Sequence, residues 1–410
     1  MTENLENLTG KLRIARLGQF GDGLTAEGQA VPGALPGELV ELTDGGKLRV
    51  LEPSADRIRP PCSHAGSCGG CKLQHGSDNL IADWKLQTVR QALAAQGLSA
   101  ELRGPITSPQ KSRRRAGFSG RRTKKGALIG FHAARSDTVV ETPNCLVITN
   151  RLRALMPLLR EITQLAGSRK GELSFQATET RQGIDLAVTG GKELEDGLRA
   201  ELASLLGRDG QVVRLSWGEE LLFQAEPPQI LFGSVPVPVN SGGFLQATLP
   251  GETALVQLVT EGLEGADHVV DLFSGAGTFT FPLAHTAELH AVEADAPAIK
   301  ALDAGARQSQ GLKRITTECR DLFRRPLDKS ELKRFDAAVI DPPRAGALAQ
   351  SQALAEARLP RLAMVSCNPA SFARDVALLV AAGYELGPIT VIDQFLWSPH
   401  VELATILRLA

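Results

Sequence analysis

Val270-Asp-Leu-Phe-Ser-Gly-Ala-Gly-Thr-Phe-Thr-Phe-Pro-Leu-Ala284 reads as an apolar strand, a glycine-rich turn and the start of a helix. Glycines at 275 and 277 let backbone approach a ligand at the carboxyl end of the strand. About twenty residues on, the next apolar strand ends at Glu293, where an acid can bind ribose hydroxyls. A dinucleotide fingerprint needs a third glycine; Thr280 stands there, which disfavours a nicotinamide cofactor. Outward from this turn, HVVDLF, ELHAVEAD, FDAAVID and RLAMVSC alternate with helical stretches from about residue 246. They read as buried parallel strands, so the fold class is α/β with a doubly wound, Rossmann-like sheet.

Two further motifs follow strands of this sheet. Asp341-Pro-Pro-Arg344 places two prolines, and so a stiff loop, just past the sheet edge. Val365-Ser-Cys-Asn-Pro369 puts Cys367 at the end of the next strand, where a thiol can be reactive. The last element, His400-Val-Glu402-Leu-Ala-Thr-Ile-Leu407, would bring an acid to the same edge. Cys319 has no such setting and reads as a small hydrophobe.

The front half is different. Residues 8–59 carry short strands with Gly/Pro turns, which suggests a small β-barrel. Residues 60–75 are rich in Cys and Gly, and a helix is expected over 79–97, closed by Gly97. Residues 98–245 mix strands and helices, as in an α+β unit. The expected division is therefore 1–59, 60–245 and 246–410. Three of the six cysteines, Cys62, Cys68 and Cys71, crowd into ten residues; with Cys145 they offer four thiolates. That crowding favours metal ligation over disulfides, with zinc and iron–sulfur both open.

Net charge is −1, which alone does not suggest a nucleic-acid partner. Charge is uneven, however. Residues 111–125 hold eight cations in fifteen positions, so any nucleic-acid footprint is expected to be local. The start has no apolar segment of the secretory type, and no run of about 18 apolar residues occurs. A cytoplasmic location, no membrane partner and a monomer are expected.

Taken together these residues resemble the RNA uracil-C5 methyltransferase family, which includes the tRNA T-loop and 23S ribosomal RNA enzymes. The matching pieces are Phe244-Leu-Gln246, DLFSGAGTF, Ala291-Val-Glu293, DPPRAG, VSCNPASFARD and HVE, in the family's order. PGALPGELVEL is similar to the small RNA-binding barrel called TRAM, and CSHAGSCGGCKLQH to the family's iron–sulfur loop.

The resemblance implies S-adenosylmethionine bound by Gln246, Phe273, Gly275, Gly277, Thr278, Glu293, Asp321 and Asp341. It implies Cys367 as nucleophile, Glu402 as base, and a [4Fe–4S] cluster on Cys62, Cys68, Cys71 and Cys145. Departures are Ser274, where the family often has Cys, Thr278 where Asn is common, and Asp303-Ala-Gly-Ala-Arg307 in place of an Asn-bearing stretch.

The chemistry accounts for the residue types. Uracil C5 is a poor nucleophile, so a thiolate must add to C6 to generate an enolate. A carboxylate then removes the C5 proton before the thiolate leaves. The target base must leave its stack to be reached from two sides.

Rival readings are weaker. A cytosine-C5 enzyme would carry a second Cys where Arg344 stands. An aromatic there would suggest exocyclic-amine methylation. A non-catalytic RNA-binding factor would not need the Cys367–Glu402 pair, nor a generic iron–sulfur redox protein the methyltransferase half. The RNA expected is 23S ribosomal RNA, by analogy with the iron–sulfur loop, with tRNA the alternative.

Overall fold

The computed structural model describes residues 10–43 and 47–410, so positions 1–9 and 44–46 of the expected barrel lie outside it. The strands between Lys11 and Glu52 form two three-stranded antiparallel sheets. One orders Lys11–Arg13, Leu39–Leu42 and Leu48–Glu52; the other orders Arg16–Leu17, Gly23–Leu24 and Ala30–Val31. Ile14, Val31, Ala34, Val40 and Leu42 fill the space between them. Gly23 is required there, because a Cβ would sit 2.7 Å from the Ala34 carbonyl oxygen. Glu38 is fully buried, and its carboxylate is satisfied by the Arg57 guanidinium and the Leu35 and Ser54 N–H groups. Such complete pairing makes a buried charge tolerable.

The middle of the chain builds a seven-stranded sheet. Its order is Val139–Glu141, Ala127–His132, Arg115–Arg122, Glu172–Glu179, Ile184–Thr189, Val212–Trp217 and Glu220–Gln224. Helices Met156–Ala166 and Asp196–Asp209 bury their apolar faces in one core with this sheet.

The C-terminal half is the expected doubly wound sheet. The order is Ile315–Cys319, Glu288–Glu293, His268–Leu272, Ala337–Ile340, Arg361–Ser366, Glu402–Leu409, Ile389–Asp393 and Leu102–Thr107. Strand order reverses between His268–Leu272 and Ala337–Ile340, the switch point where open α/β sheets bind ligands. Glu402–Leu409 runs antiparallel to both neighbours, so its first residue lies at the edge where the parallel strands end. Apolar cores cover both faces.

Segment 78–107 was expected within the central unit, but it packs on this last sheet. Helix Asp78–Ala94 lies against helix Pro369–Ala381, and Leu102–Thr107 adds an edge strand parallel to Ile389–Asp393. The strand is hard to read because Gly104 and Pro105 interrupt it, and an edge position is where a sheet tolerates proline. The helix is capped by the Ser77 hydroxyl, which accepts from Leu80 N.

Two sets of contacts hold this front segment to the end of the chain. The N–H groups of Lys72 and Leu73 both donate to the Trp397 carbonyl, at 2.9 and 3.1 Å. Trp397 packs with Leu17, Leu35, Leu73, Ile81 and Trp84. Lys85, with no side-chain exposure, pairs with the buried Asp393 at 2.6 Å. No described helix is long and apolar enough to cross a membrane.

Breaking a buried ion pair from one side leaves a charge without compensation. Lys85→Met should therefore destabilise the protein by about 3–5 kcal/mol, read from the midpoint of urea unfolding. A loss below about 1 kcal/mol would mean that Asp393 takes up a proton or reaches water.

Candidate active site

A cleft of about 610 Å³ opens at the carboxyl edge of the C-terminal sheet. Seven of the eight residues expected to hold the cofactor line it: Gln246, Phe273, Gly275, Thr278, Glu293, Asp321 and Asp341. Cys367, Glu402, Arg344 and His400 line it as well. Thr178, from the seven-stranded sheet, closes the far side.

Gly277 is the exception. Its φ is +107°, and a Cβ would lie 2.6 Å from the Phe281 ring and 3.3 Å from Leu302. It serves close packing of the turn on its helix and does not face the cleft. Gly275, at φ +54°, has open space where a Cβ would be. Phe273 adopts a positive φ of 63°, costly for an aromatic, as the strand turns into the loop.

Glu293 braces this turn. One carboxylate oxygen accepts from Gly275 N at 3.0 Å, the other from Ala294 N and Asp295 N at 2.7 and 2.9 Å. Asp271 is fully buried beneath, and the Thr280 hydroxyl donates to it at 2.6 Å. Burial pushes the Asp271 carboxyl up to about 7, with the Asp341 and Glu293 charges adding to the push. Position 280 thus needs a hydroxyl, which accounts for the missing third glycine. Across the cleft, Phe323 tilts against Phe273 at 5.5 Å, and its N–H donates to Asp321 at 2.9 Å.

At the other end, Cys367 follows strand Arg361–Ser366 directly. Asn368 caps the next helix by accepting from Ala370 N, and its amide nitrogen donates to the Arg344 carbonyl at 2.8 Å. The Ser371 hydroxyl donates to the same carbonyl. These bonds tie the Asp341–Arg344 loop to the Cys367 loop. Burial pushes the Cys367 thiol up to about 11; the Glu402 and Asp341 carboxylates add to this and Arg344 opposes it. Burial pushes Asp341 up to about 7. Glu402, 5% exposed, is raised well above the usual carboxylate range, first by burial and then by Asp341. The Gln394 amide and Arg344 pull it back. A carboxylate so raised is a stronger base, and the thiol beside it keeps its proton near neutrality.

Three residues of this region were not singled out in the sequence. Phe323 and Phe395 are single aromatics in loops. Gln394 follows the end of an apolar strand, and that position at the ligand edge was the available signal.

The four front cysteines share one neighbourhood. The Cys71 thiol is raised to about 11, mostly by burial but also by the charges of Cys145, Cys68 and Cys62. Cys68 is raised likewise by burial, then Cys145 and Cys62. Backbone N–H groups of His64 and Gly70 point at the Cys62 and Cys68 sulfurs, each at 3.4 Å. Among the described residues, however, no group of three or more His, Cys, Asp or Glu side chains is set to hold a metal ion.

The basic stretch at 111–125 is largely spent on the protein itself. Arg114 pairs with the buried Glu252 and donates to the Gln246 carbonyl; Arg115 donates to the Gly242 carbonyl. Arg113 donates to the Arg115 carbonyl and lies over the Phe395 ring. Arg121 pairs with Glu172, and Arg122 reaches the Gly167 carbonyl. Only Lys111, Lys124 and Lys125 of the eight are exposed; the five arginines are half-buried. The expected local footprint is thus mostly a set of ties between the central sheet and the cleft.

Residues 242–409 match the family model described as tRNA (Uracil-5-)-methyltransferase. An RNA methyltransferase of Rhizobium meliloti (strain 1021) is 42% identical, over 98% of this chain and 99% of its own. The 23S rRNA (uracil(1939)-C(5))-methyltransferase RlmD of Shewanella halifaxensis is 32% identical, over 97% and 95%.

The chain belongs to the RNA uracil-C5 methyltransferase family.

It is an S-adenosylmethionine-dependent RNA (uracil-C5)-methyltransferase. In fold it is similar to the Pyrococcus abyssi tRNA (uracil-54, C5)-methyltransferase solved with S-adenosyl-L-homocysteine. That likeness has a TM-score of 0.77 at 22% identity and covers 97% of this chain and 99% of the other.

The charges around Cys367 give a direct measurement. Thiolate, the reactive form, grows as pH rises toward the raised value, so alkylation of Cys367 in the free protein should be slow near neutrality and climb steeply above it. Glu402→Gln removes a negative neighbour and lowers the thiol. It should speed iodoacetamide labelling of Cys367 about threefold or more at about pH 9, read by peptide mass spectrometry. Unchanged labelling would separate the two side chains electrostatically.

Proposed function

We propose that this enzyme methylates C5 of a uridine in 23S ribosomal RNA through a covalent bond from Cys367 to C6, with Glu402 removing the C5 proton. The observation that carries this reading is that Cys367 and Glu402 line one cleft with the glycine turn. The ribosomal assignment is supported by the likeness to the Shewanella enzyme named for that RNA, across nearly the whole of both chains.

S-adenosylmethionine, when bound, supplies an electrophilic methyl group on positive sulfur. Gln246, Phe273, Gly275, Thr278, Glu293 and Asp321 are proposed to bind it, and Asp341 to bind it or the uracil N3–H. Cys367 loses its proton and its sulfur bonds to C6; the C5–C6 π pair moves into the enolate at C5, C4 and O4. C5 then takes the methyl. Glu402 accepts the remaining C5 proton, that electron pair restores the C5=C6 bond, and the S–C6 bond breaks. The thiolate regains a proton, Glu402 gives one up, and one proton is released overall. Both side chains need the uracil between them, which requires the base to leave its stack.

Cys62, Cys68, Cys71 and Cys145 are proposed to hold a [4Fe–4S] cluster. Their mutual repulsion and the two N–H groups aimed at sulfur fit a four-thiolate donor set. Residues 1–59 are proposed as a TRAM-like RNA-binding unit, ahead of a central unit over 60–245, apart from segment 78–107 on the last sheet, and the catalytic one over 246–410. Phe20, 62% exposed and next to Lys72, would offer a stacking surface there.

Two experiments test this reading. Cys367→Ala should lose turnover and any covalent link to RNA, whereas Glu402→Gln should accumulate a methylated protein–RNA adduct, visible as a denaturation-resistant band. Normal turnover by either variant would remove that residue from its role. Separately, protein purified without oxygen should be brown with about four irons per chain. Stoichiometric zinc without iron would replace the cluster and leave the methyl transfer untouched.

A further inference from the structure

Gln394 is 1% exposed and lies behind the cleft, at the end of strand Ile389–Asp393. Its amide makes a set of contacts whose polarity is fixed at one end. The Thr248 backbone N–H donates to Gln394 Oε1 at 3.3 Å, and a backbone N–H can only donate. The Gln394 nitrogen must therefore face the other way, with two hydrogens to give. One goes to Gln246 Oε1 at 2.6 Å. The other is left for Glu402, which stands opposite Ile392 on the neighbouring strand, two residues before Gln394. Because Gln246 must offer its oxygen to Gln394, its own NH2 group is turned outward, where it reaches Asp341 Oδ2 at 3.4 Å. One backbone N–H thus sets the direction of every hydrogen bond from Thr248 to Asp341.

Gly251 packs on the amide so closely that a Cβ there would meet Gln394 Cβ and Oε1 at 3.0 Å. The Thr248 hydroxyl is held in turn by the Ser108 hydroxyl at 2.7 Å, from the far end of the edge strand Leu102–Thr107.

We infer that Gln394 is a positioning residue that orients two cleft side chains at once: it holds the Glu402 carboxylate for proton removal, and it makes Gln246 present a donor, not an acceptor, to the cleft. The inference rests on the role proposed for Glu402. A donor from Gln246 beside the Asp341 carboxylate complements a carbonyl next to an N–H, as on the uracil edge. It clashes with the amino group and bare ring nitrogen of cytosine. Around Glu402, the charged or titratable groups are Asp341, Arg344 and Cys367. Asp341 disfavours the ionised base; Arg344 and the Gln394 N–H favour it.

The test uses the full-length enzyme and 23S rRNA transcribed with 5-tritiated uridine. Tritium release reports removal of the C5 proton, and methylated, denaturation-resistant adduct reports enzyme that has not reached that step. Gln394→Met keeps the volume and removes the amide. Without the N–H, Glu402 ionises at higher pH, so the midpoint of tritium release should move up by about one pH unit. At neutral pH the adduct fraction should rise about tenfold over wild type. Gln394→Glu is the second variant, and it inverts the contact with Gln246. A carboxylate at 394 calls for the Gln246 NH2, turns Oε1 into the cleft, and should raise KM for the RNA more than Gln394→Met does. An equal fall in all rates, with the pH midpoint and adduct fraction unmoved in both variants, would overturn the inference and leave only a packing role. No adduct and no tritium release from the wild type would instead overturn the covalent mechanism itself, and this inference with it.

Discussion

One strand running against its neighbours makes the site possible. Glu402–Leu409 inserts between Arg361–Ser366 and Ile389–Asp393 with Ser366 opposite Leu403 and Ile392 opposite Glu402. One step past the last pair, Cys367 and Glu402 stand across from each other at the edge of the sheet. A fully parallel sheet would have carried Glu402 to the opposite end of the molecule. The antiparallel strand delivers an acid from the chain terminus to the place where the preceding strand releases a thiol. The backbone register fixes their spacing, so no long side chain has to reach across.

The glycine turn is assembled by a different principle, in which charge is placed under backbone. Glu293 accepts three N–H groups that would otherwise be exposed at the loop, and Thr280 satisfies one oxygen of the buried Asp271. The second oxygen of Asp271 has no partner. Three acids, Asp271, Glu293 and Asp341, therefore stand close together beneath the cleft. With the methyl donor bound as proposed, its positive sulfur would relieve their mutual repulsion, which the neutral thioether product would not.

The sequence was most legible where structure is local. The four parallel strands, the turn at 273–278 and the helix ending before Gly97 follow from runs of apolar residues and their punctuation. Cys367 and Glu402 could be read because each adjoins a strand whose end defines the ligand edge. What could not be read depends on partners far along the chain. Gln394 acquires meaning only from Thr248 and Gln246, and Leu102–Thr107 becomes a strand only beside Ile389–Asp393. The arginines at 113–115 misled for the same reason: a count of cations cannot distinguish guanidiniums facing solvent from those capping carbonyls at 242 and 246. Gly277 was expected at the cofactor, yet its missing side chain makes room for Phe281. A glycine motif states only that a Cβ is excluded, and does not say by what.

The pairing of Lys85 with Asp393 also constrains how the chain is made. Lys85 reaches the Phe395 carbonyl 310 positions later, and the Trp397 carbonyl receives the N–H groups of Lys72 and Leu73. On a ribosome the helix bearing Lys85 emerges long before its partner, and its ammonium stays hydrated until some three hundred further residues have been synthesised. At about 5–20 residues per second that interval lasts some tens of seconds. The front segment cannot complete its burial during translation, and the edge strand Leu102–Thr107 waits as an unpaired edge over the same period. The nascent chain thus carries an open strand and an unseated lysine until Ile389–Asp393 and Phe395 are made, and closing the sheet over them must wait for that segment.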